Sequence, residues 1–178
     1  FEGSQIQNLT IPPDTKLIAI ENFTFNGSKI ESITIPSEIT TIGIGAFSFC
    51  NQLKQVQIEN NSKLRIIEKQ AFFSTQIESF SIPSQITNIG ERAFSRCMKL
   101  EKVDIPIESN IEKIDNFTFS ETPIKKFTFP SKVTCIGEGC FCQCEGLGQI
   151  DFSEDTKIKT IGNSAFYKTG IKSFLILS

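Results

Sequence analysis

The sequence predicts a repeat solenoid of α/β type: a right-handed array with a parallel sheet of short strands on one side and turns or short helical segments on the other. Three observations predict it. The pattern Ile/Leu-x-x-ϕ-x-ϕ (ϕ is Ile, Leu, Val or Phe) recurs at Ile6, Ile30, Leu53, Ile77, Leu100, Ile124, Leu147 and Ile171, in alternating steps of 24 and 23 residues. A phenylalanine recurs between these starts, at Phe25, Phe47, Phe72, Phe94, Phe119, Phe141 and Phe166. No single coil of this size can bury its own apolar face, so a fixed period in the twenties means stacking.

The coil from Ile77 to Lys99 justifies each element in order. Ile77, Phe80 and Ile82 alternate with Glu78, Ser79 and Ser81, the period-2 pattern of a half-buried strand. Pro83 follows at once and stops the strand, because proline has no N–H for the ladder. Ile86 and Ile89 turn back inward, and Gly90 permits the next turn. Ala93 and Phe94 fill the far wall, where a short helical turn is expected, and Cys97 closes the coil. From strand start to far-wall Phe the count is 19 residues in the coils from Ile6, Leu53, Leu100 and Leu147, and 17 in those from Ile30, Ile77 and Ile124. The unit is therefore a pair of coils, 47 residues long, with alternating turn shapes along the edges. Residues 1–178 read as one array, with repeats starting at 6, 30, 53, 77, 100, 124 and 147 and a partial one at 171. The apolar, strand-like run Phe174–Ser178 and the absence of an initiator Met suggest a piece of a longer array.

The far-wall and strand residues together spell IESITIPSEITTIGIGAFSFC (Ile30–Cys50), IESFSIPSQITNIGERAFSRC (Ile77–Cys97) and IKKFTFPSKVTCIGEGCFCQC (Ile124–Cys144). This string resembles the BspA-like class of leucine-rich repeats, over essentially the whole chain. The longer coils depart from it: IENNSKLRIIEKQAFFST lacks both the P-S-x-ϕ-T run and the Cys. The resemblance implies a leucine-rich-repeat fold and a surface or secreted protein of bacteria or trichomonad protists. It also implies adhesion to host cells or extracellular matrix, with a protein or glycan ligand. It implies no catalytic residue.

Composition excludes several classes. The net charge of −2 leaves no nucleic-acid footprint, and no run of ~18 apolar residues marks a membrane span. There is no histidine, which removes the commonest general base, nucleophile partner and metal ligand. The glycines punctuate turns and form no phosphate loop. The chain reads as a non-enzyme with no cofactor.

The cysteines carry two readings. Cys50, Cys97 and Cys144 fall 47 residues apart. Two coils separate them by ~9.5 Å, beyond the ~7 Å limit for a disulfide, so they read as small buried hydrophobes. Cys135, Cys140, Cys142 and Cys144 cluster, which raises a zinc site or a Cys135–Cys142 disulfide. Against zinc, Cys140 takes the inward Ala position and Cys142 an outward Ser position, so the side chains diverge. Cys142 is the expected exposed thiol.

Sequons N-x-S/T stand at Asn8, Asn22, Asn26, Asn60 and Asn116. They favour an exported, glycosylated protein, although Asn22 and Asn116 share one coil position and a polar solenoid produces sequons by composition. Outward strand positions are the expected binding face: Glu31, Lys54, Glu78, Glu101, Lys102, Asp104, Lys125, Lys126, Thr128, Gln149, Asp151 and Lys172. Eight strands in one sheet would offer on the order of 600 Å², near the ~800 Å² per partner of a standard interface. Lys102, Lys125 and Lys126 are neighbours, a basic patch that suggests an acidic partner unless Glu101, Asp104 and Asp151 neutralise it. Glu31, Lys54 and Glu78 neutralise one another. The expected function is a binding and display module of a surface or secreted adhesin. An intracellular scaffold and a spacer without a ligand are the alternatives.

Overall fold

The computed structural model describes residues 1–173, so the run Phe174–Ser178 lies outside the described residues. Thirteen short strands alternate between two columns: β1 (Ala19–Ile20), β2 (Ser32–Ile35), β3 (Thr41–Ile42), β4 (Gln55–Ile58), β5 (Ile66–Ile67), β6 (Ser79–Ser81), β7 (Asn88–Ile89), β8 (Lys102–Asp104), β9 (Lys113–Ile114), β10 (Lys126–Phe129), β11 (Cys135–Ile136), β12 (Gln149–Phe152) and β13 (Thr160–Ile161). The even-numbered strands form the strand face and the odd-numbered ones the second column. Every pairing is parallel. The molecule is a parallel-strand solenoid.

Alternation places the core as expected. Ile33 and Ile35 of β2 point inward while Ser32 and Thr34 face water. The far-wall phenylalanines stack ring on ring: centroids lie 5.3 Å apart from Phe47 to Phe72 and from Phe72 to Phe94, and 5.7 Å from Phe94 to Phe119. Phe80 meets Phe94 edge-on at 4.9 Å and ties strand face to far wall. These offset and edge contacts are the favoured aromatic geometries.

The far wall is not helical; no helix occurs among the described residues. The reason is how its N–H groups are used. Ala93, Ser95 and Cys97 donate within their own coil, to Gly90, Arg92 and Phe94. Arg92, Phe94 and Arg96 donate instead to Asn116, Thr118 and Ser120 of the next coil, at 3.0, 2.9 and 3.0 Å. An α-helix would close all of these bonds on itself. Serving the neighbour requires a left-handed residue at two places per coil, and these include Gln70 (φ 57°), Ser74 (57°), Arg92 (56°) and Arg96 (60°). Glycine fills some of these sites. At Gly45 (φ 57°) an added Cβ would also sit 2.7 Å from the Phe23 ring, so the glycine is needed for space as well as conformation.

The Cys column has a partner column. Cys50, Cys97 and Cys144 are fully buried, and their thiols donate to the carbonyls of Phe25, Phe72 and Phe119, at 3.0, 3.1 and 3.0 Å. Each also meets a buried hydroxyl of the preceding coil: Ser28 at 3.4 Å, Thr75 at 3.2 Å and Thr122 at 3.3 Å. Small hydroxyl and thiol alternate along the stack.

The 19/17 alternation resolves into turns. Counted from the last inward position of each strand-face coil (Ile35, Ile58, Ile82, Ile105, Phe129, Phe152) to the second column, seven-residue turns (59–65, 106–112, 153–159) and five-residue turns (36–40, 83–87, 130–134) alternate. This alternation breaks the strand face. β2 pairs with β4, β6 with β8 and β10 with β12, but β4 does not pair with β6, nor β8 with β10. The expected single eight-stranded face is instead a set of two-stranded ribbons. At the first break the strands start together, with Gln76 N–H on Leu53 O (3.0 Å) and Glu78 N–H on Lys54 O (3.2 Å), and then diverge.

Candidate functional site

Eleven of the twelve expected binding-face residues are exposed; Asp151 is half-buried. The structure changes the meaning of the basic patch. Lys102 pairs with Asp104 at 2.8 Å, Lys125 with Glu101 at 2.7 Å, and Lys126 with Asp151 at 2.7 Å. Gln149 Nε2 donates to the same Asp151 carboxylate at 3.0 Å. Three lysines therefore meet three carboxylates and no net positive patch remains. The Lys125 hydrogen bond lowers the pKa of Glu101, and the Lys126 hydrogen bond, then that of Gln149, lowers that of Asp151. Conversely, Lys54 makes no ion pair with Glu31 or Glu78 among the described residues, although backbone bonds stack the three (Lys54 N–H on Glu31 O, 2.9 Å). Thr128 lies across the second break from Asp104, and Lys172 is exposed at the end of the described chain.

One other expectation needs correction. The column holding Cys142 is not an outward one: Ser48, Ser95 and Ser120 are buried there, Ser120 Oγ donates to Ser95 Oγ at 2.9 Å, and Cys142 is half-buried. All six cysteines are free thiols, so no Cys135–Cys142 disulfide forms. Among the described residues no three Cys, Asp or Glu side chains come together as a metal site. Burial raises the thiol pKa of Cys50, Cys140 and Cys144, and that of Cys97 to about 11.

The sequons divide by environment. Asn8 and Asn60 are exposed, and Asn26 is half-buried. Asn22 Oδ1 accepts the Ile44 N–H at 2.8 Å and Asn116 Oδ1 the Glu138 N–H at 2.9 Å. The threonines of the same sequons donate back to Glu21 O (2.7 Å) and Asp115 O (2.9 Å). The Asn-Phe-Thr triplet is a structural device of that turn.

Two surfaces escaped the sequence reading. On the far wall stand the exposed Phe23, Phe49 and Tyr167, with Arg92 over the Phe117 ring at 4.7 Å and Arg96 over Phe73 at 5.9 Å. The second surface is a cleft of about 900 Å³ at the β4–β6 break, between turn 59–65 and turn 83–87. It opens because turn 59–65 folds back on the preceding coil: Ser37 N–H meets Glu59 Oε2 at 2.9 Å, Lys63 N–H meets Ser37 O at 2.8 Å, and Lys63 Nζ meets Glu38 Oε2 at 2.7 Å. Turn 106–112 leans the other way, with Ser131 N–H on Ile107 O at 3.0 Å and Lys132 Nζ on Asn110 Oδ1 at 2.6 Å. A smaller opening of about 340 Å³ lies at the second break, lined by Asp104 and Thr128 among others. The signal for the cleft in the sequence was the two-residue surplus of alternate coils.

Stacked parallel coils of this size, with a phenylalanine spine and an exposed strand face, define a leucine-rich-repeat module of the kind used for protein interaction. The chain belongs to the BspA type leucine rich repeat region family, matched in six copies over residues 1–101 and 65–178. A leucine-rich repeat protein from Bacteroides ovatus is similar at 27% identity and TM-score 0.68, over 94% of this chain and 51% of that one. A leucine rich cell surface protein from Faecalibacterium prausnitzii is similar at 25% identity and TM-score 0.61, over 83% of this chain and 47% of that one. The T. pallidum leucine rich repeat protein shares the fold at 20% identity and TM-score 0.74, over 86% of this chain and 72% of that one. The chain spans about half the length of the first two. No curated protein matches it.

Proposed function

We propose that this chain is a binding module of a cell-surface or secreted protein, acting as an adhesin toward a host or matrix protein or glycan. The observation that carries the reading is the strand face itself. Its outward positions, Asp151 apart, are exposed and vary in charge from coil to coil while the inward positions stay apolar, as a recognition surface on a fixed frame requires. The cell-surface relative from Faecalibacterium prausnitzii and the exposed sequons at Asn8 and Asn60 support display outside the cell, the latter as glycosylation sites. The experiment is antibody labelling of intact native cells with a protease-shaving control. Signal lost on shaving is the expected result; absence from both surface and medium would overturn the reading. One observation favours an intracellular scaffold instead: six unpaired thiols are ordinary in a reducing compartment and unusual outside it. Sensitivity of the native protein to peptide-N-glycosidase would rule that alternative out. A spacer without a ligand would tolerate substitutions at Glu31, Lys54, Glu78, Thr128 and Lys172, whereas a binder would lose its partner on at least some of them.

A further inference from the structure

Arg65 sets the cleft between turn 59–65 and Pro83–Gln85 apart from the rest of the surface. The chain has three arginines. Arg92 pairs with Glu91 and Arg96 with Glu121, whereas Arg65, which lines the cleft, has no ion pair among the described residues. Of the other charges there, Lys63 is paired with Glu38, while Glu59 accepts the Ser37 N–H and keeps its negative charge. Arg65 is therefore the cation of the cleft left without an ion pair, and a guanidinium binds a carboxylate as a two-pronged donor. The long sides of the cleft are β4 and β6, which are adjacent yet not paired with each other. Unpaired strand edges are templates for an extended chain. Half-buried Val56 and Ile58 lie at its base. No aromatic ring lines the cleft for a sugar to stack on. Nor does the repeat impose these features. Forty-seven residues on, the Arg65 position is Glu112, the opening falls to about 340 Å³ and Asp104 lines it; 47 residues earlier the position is Ile18.

We propose that this cleft takes an extended, acidic peptide segment of a partner protein, with a carboxylate on Arg65, its main chain along the unpaired strand edge at Ser79–Ser81, and an apolar side chain on Val56 and Ile58. The assignment rests on the reading of the chain as a binding module and names the ligand class of one site on it.

A random dodecapeptide library displayed on phage, selected on the whole chain, tests it. The selected peptide is then titrated as a fluorescent synthetic peptide against wild type, Arg65→Glu, Arg65→Lys and the remote control Lys159→Glu, an exposed residue outside the strand face. Acidic peptides should be enriched, and Arg65→Glu should weaken them about tenfold or more. Arg65→Lys should weaken them less, Lys159→Glu should not, and N-methylation of alternate peptide amides should abolish binding. Unchanged thermal midpoints of the variants confirm that they fold. Selection of non-acidic peptides, equal binding by Arg65→Glu, an empty selection, or displacement of the peptide by a heparin hexasaccharide that itself binds more tightly would each overturn the assignment. Cell-surface labelling does not depend on Arg65. A displayed protein that selects no acidic peptide loses the cleft assignment alone, and an undisplayed one loses the adhesin reading.

Discussion

Cys97 shows what one position in this stack does. Its thiol donates to Phe72 O and meets Thr75 Oγ1, and burial keeps it neutral. Cys97→Ala is expected to cost about 1–3 kcal/mol, from the small cavity and the lost hydrogen bond, read by denaturant unfolding. The pH dependence has a definite sign. The folded thiol titrates at about 11 rather than 9.0, so its contribution is complete below pH 9.0 and drains as pH rises toward about 11. Cys97→Ala should reduce the fall of the thermal midpoint across that window. A count of thiols in the native protein with a maleimide should find Cys135 and Cys142 reactive and the four buried ones silent until denaturant is added. The position of the Cys column was legible in the sequence from its 47-residue spacing. Its Ser28, Thr75 and Thr122 partners were not, because a buried Thr and a surface Thr look alike in a chain rich in both.

At the scale of the element, the far wall trades local conformation for bonds between coils. A non-glycine residue held left-handed costs roughly 1–2 kcal/mol. Ser74 is such a residue, half-buried, with no side-chain hydrogen bond among the described residues. Ser74→Gly is expected to stabilise the protein by about 1 kcal/mol or less, since relief of φ strain is offset in part by the greater freedom of glycine in the unfolded chain. A lower unfolding midpoint in Ser74→Gly would show that the wall is not strained there. The apolar pattern of Ala93 and Phe94 suits either a helical turn or this backbone, and what decided between them, the N–H bonds to the next coil, is a property of the stack. The turns differ in legibility too. Their lengths could be counted, but the direction in which turn 59–65 leans depends on Glu59 and Lys63 finding Ser37 and Glu38 of the preceding coil.

Over the whole molecule the aromatic spine outweighs the surface charges. Phe94 is fully buried between Phe72 and Phe119, so Phe94→Ala should cost about 3–5 kcal/mol. Lys126→Ala removes an exposed ion pair and should cost less than about 0.5 kcal/mol. Chemical denaturation of both variants checks the contrast; a comparable loss in each would mean that the strand-face ion pairs help hold the solenoid together. The apolar inward positions were legible because burial repeats with the coil, whereas the buried serine column of Ser48, Ser95 and Ser120 read as outward. The pairing of Lys102 with Asp104 and of Lys126 with Asp151 was weighed as the neutral alternative to a basic patch, and the structure decides for neutrality. The broken strand face was not legible, because pairing depends on how each turn carries its strand end, and no residue type records that.

The alternation of hydroxyl and thiol along the stack has a consequence for how such a gene can change length. Removing residues 53–99, one 47-residue unit, brings Leu100 after Cys50 and leaves every thiol facing a hydroxyl. Removing residues 53–76, a single 24-residue coil, sets Cys97 against Cys50 and two five-residue turns side by side. Internal recombination should therefore be tolerated in steps of two coils and rejected in steps of one, so that inherited length variants of this array differ by even numbers of coils.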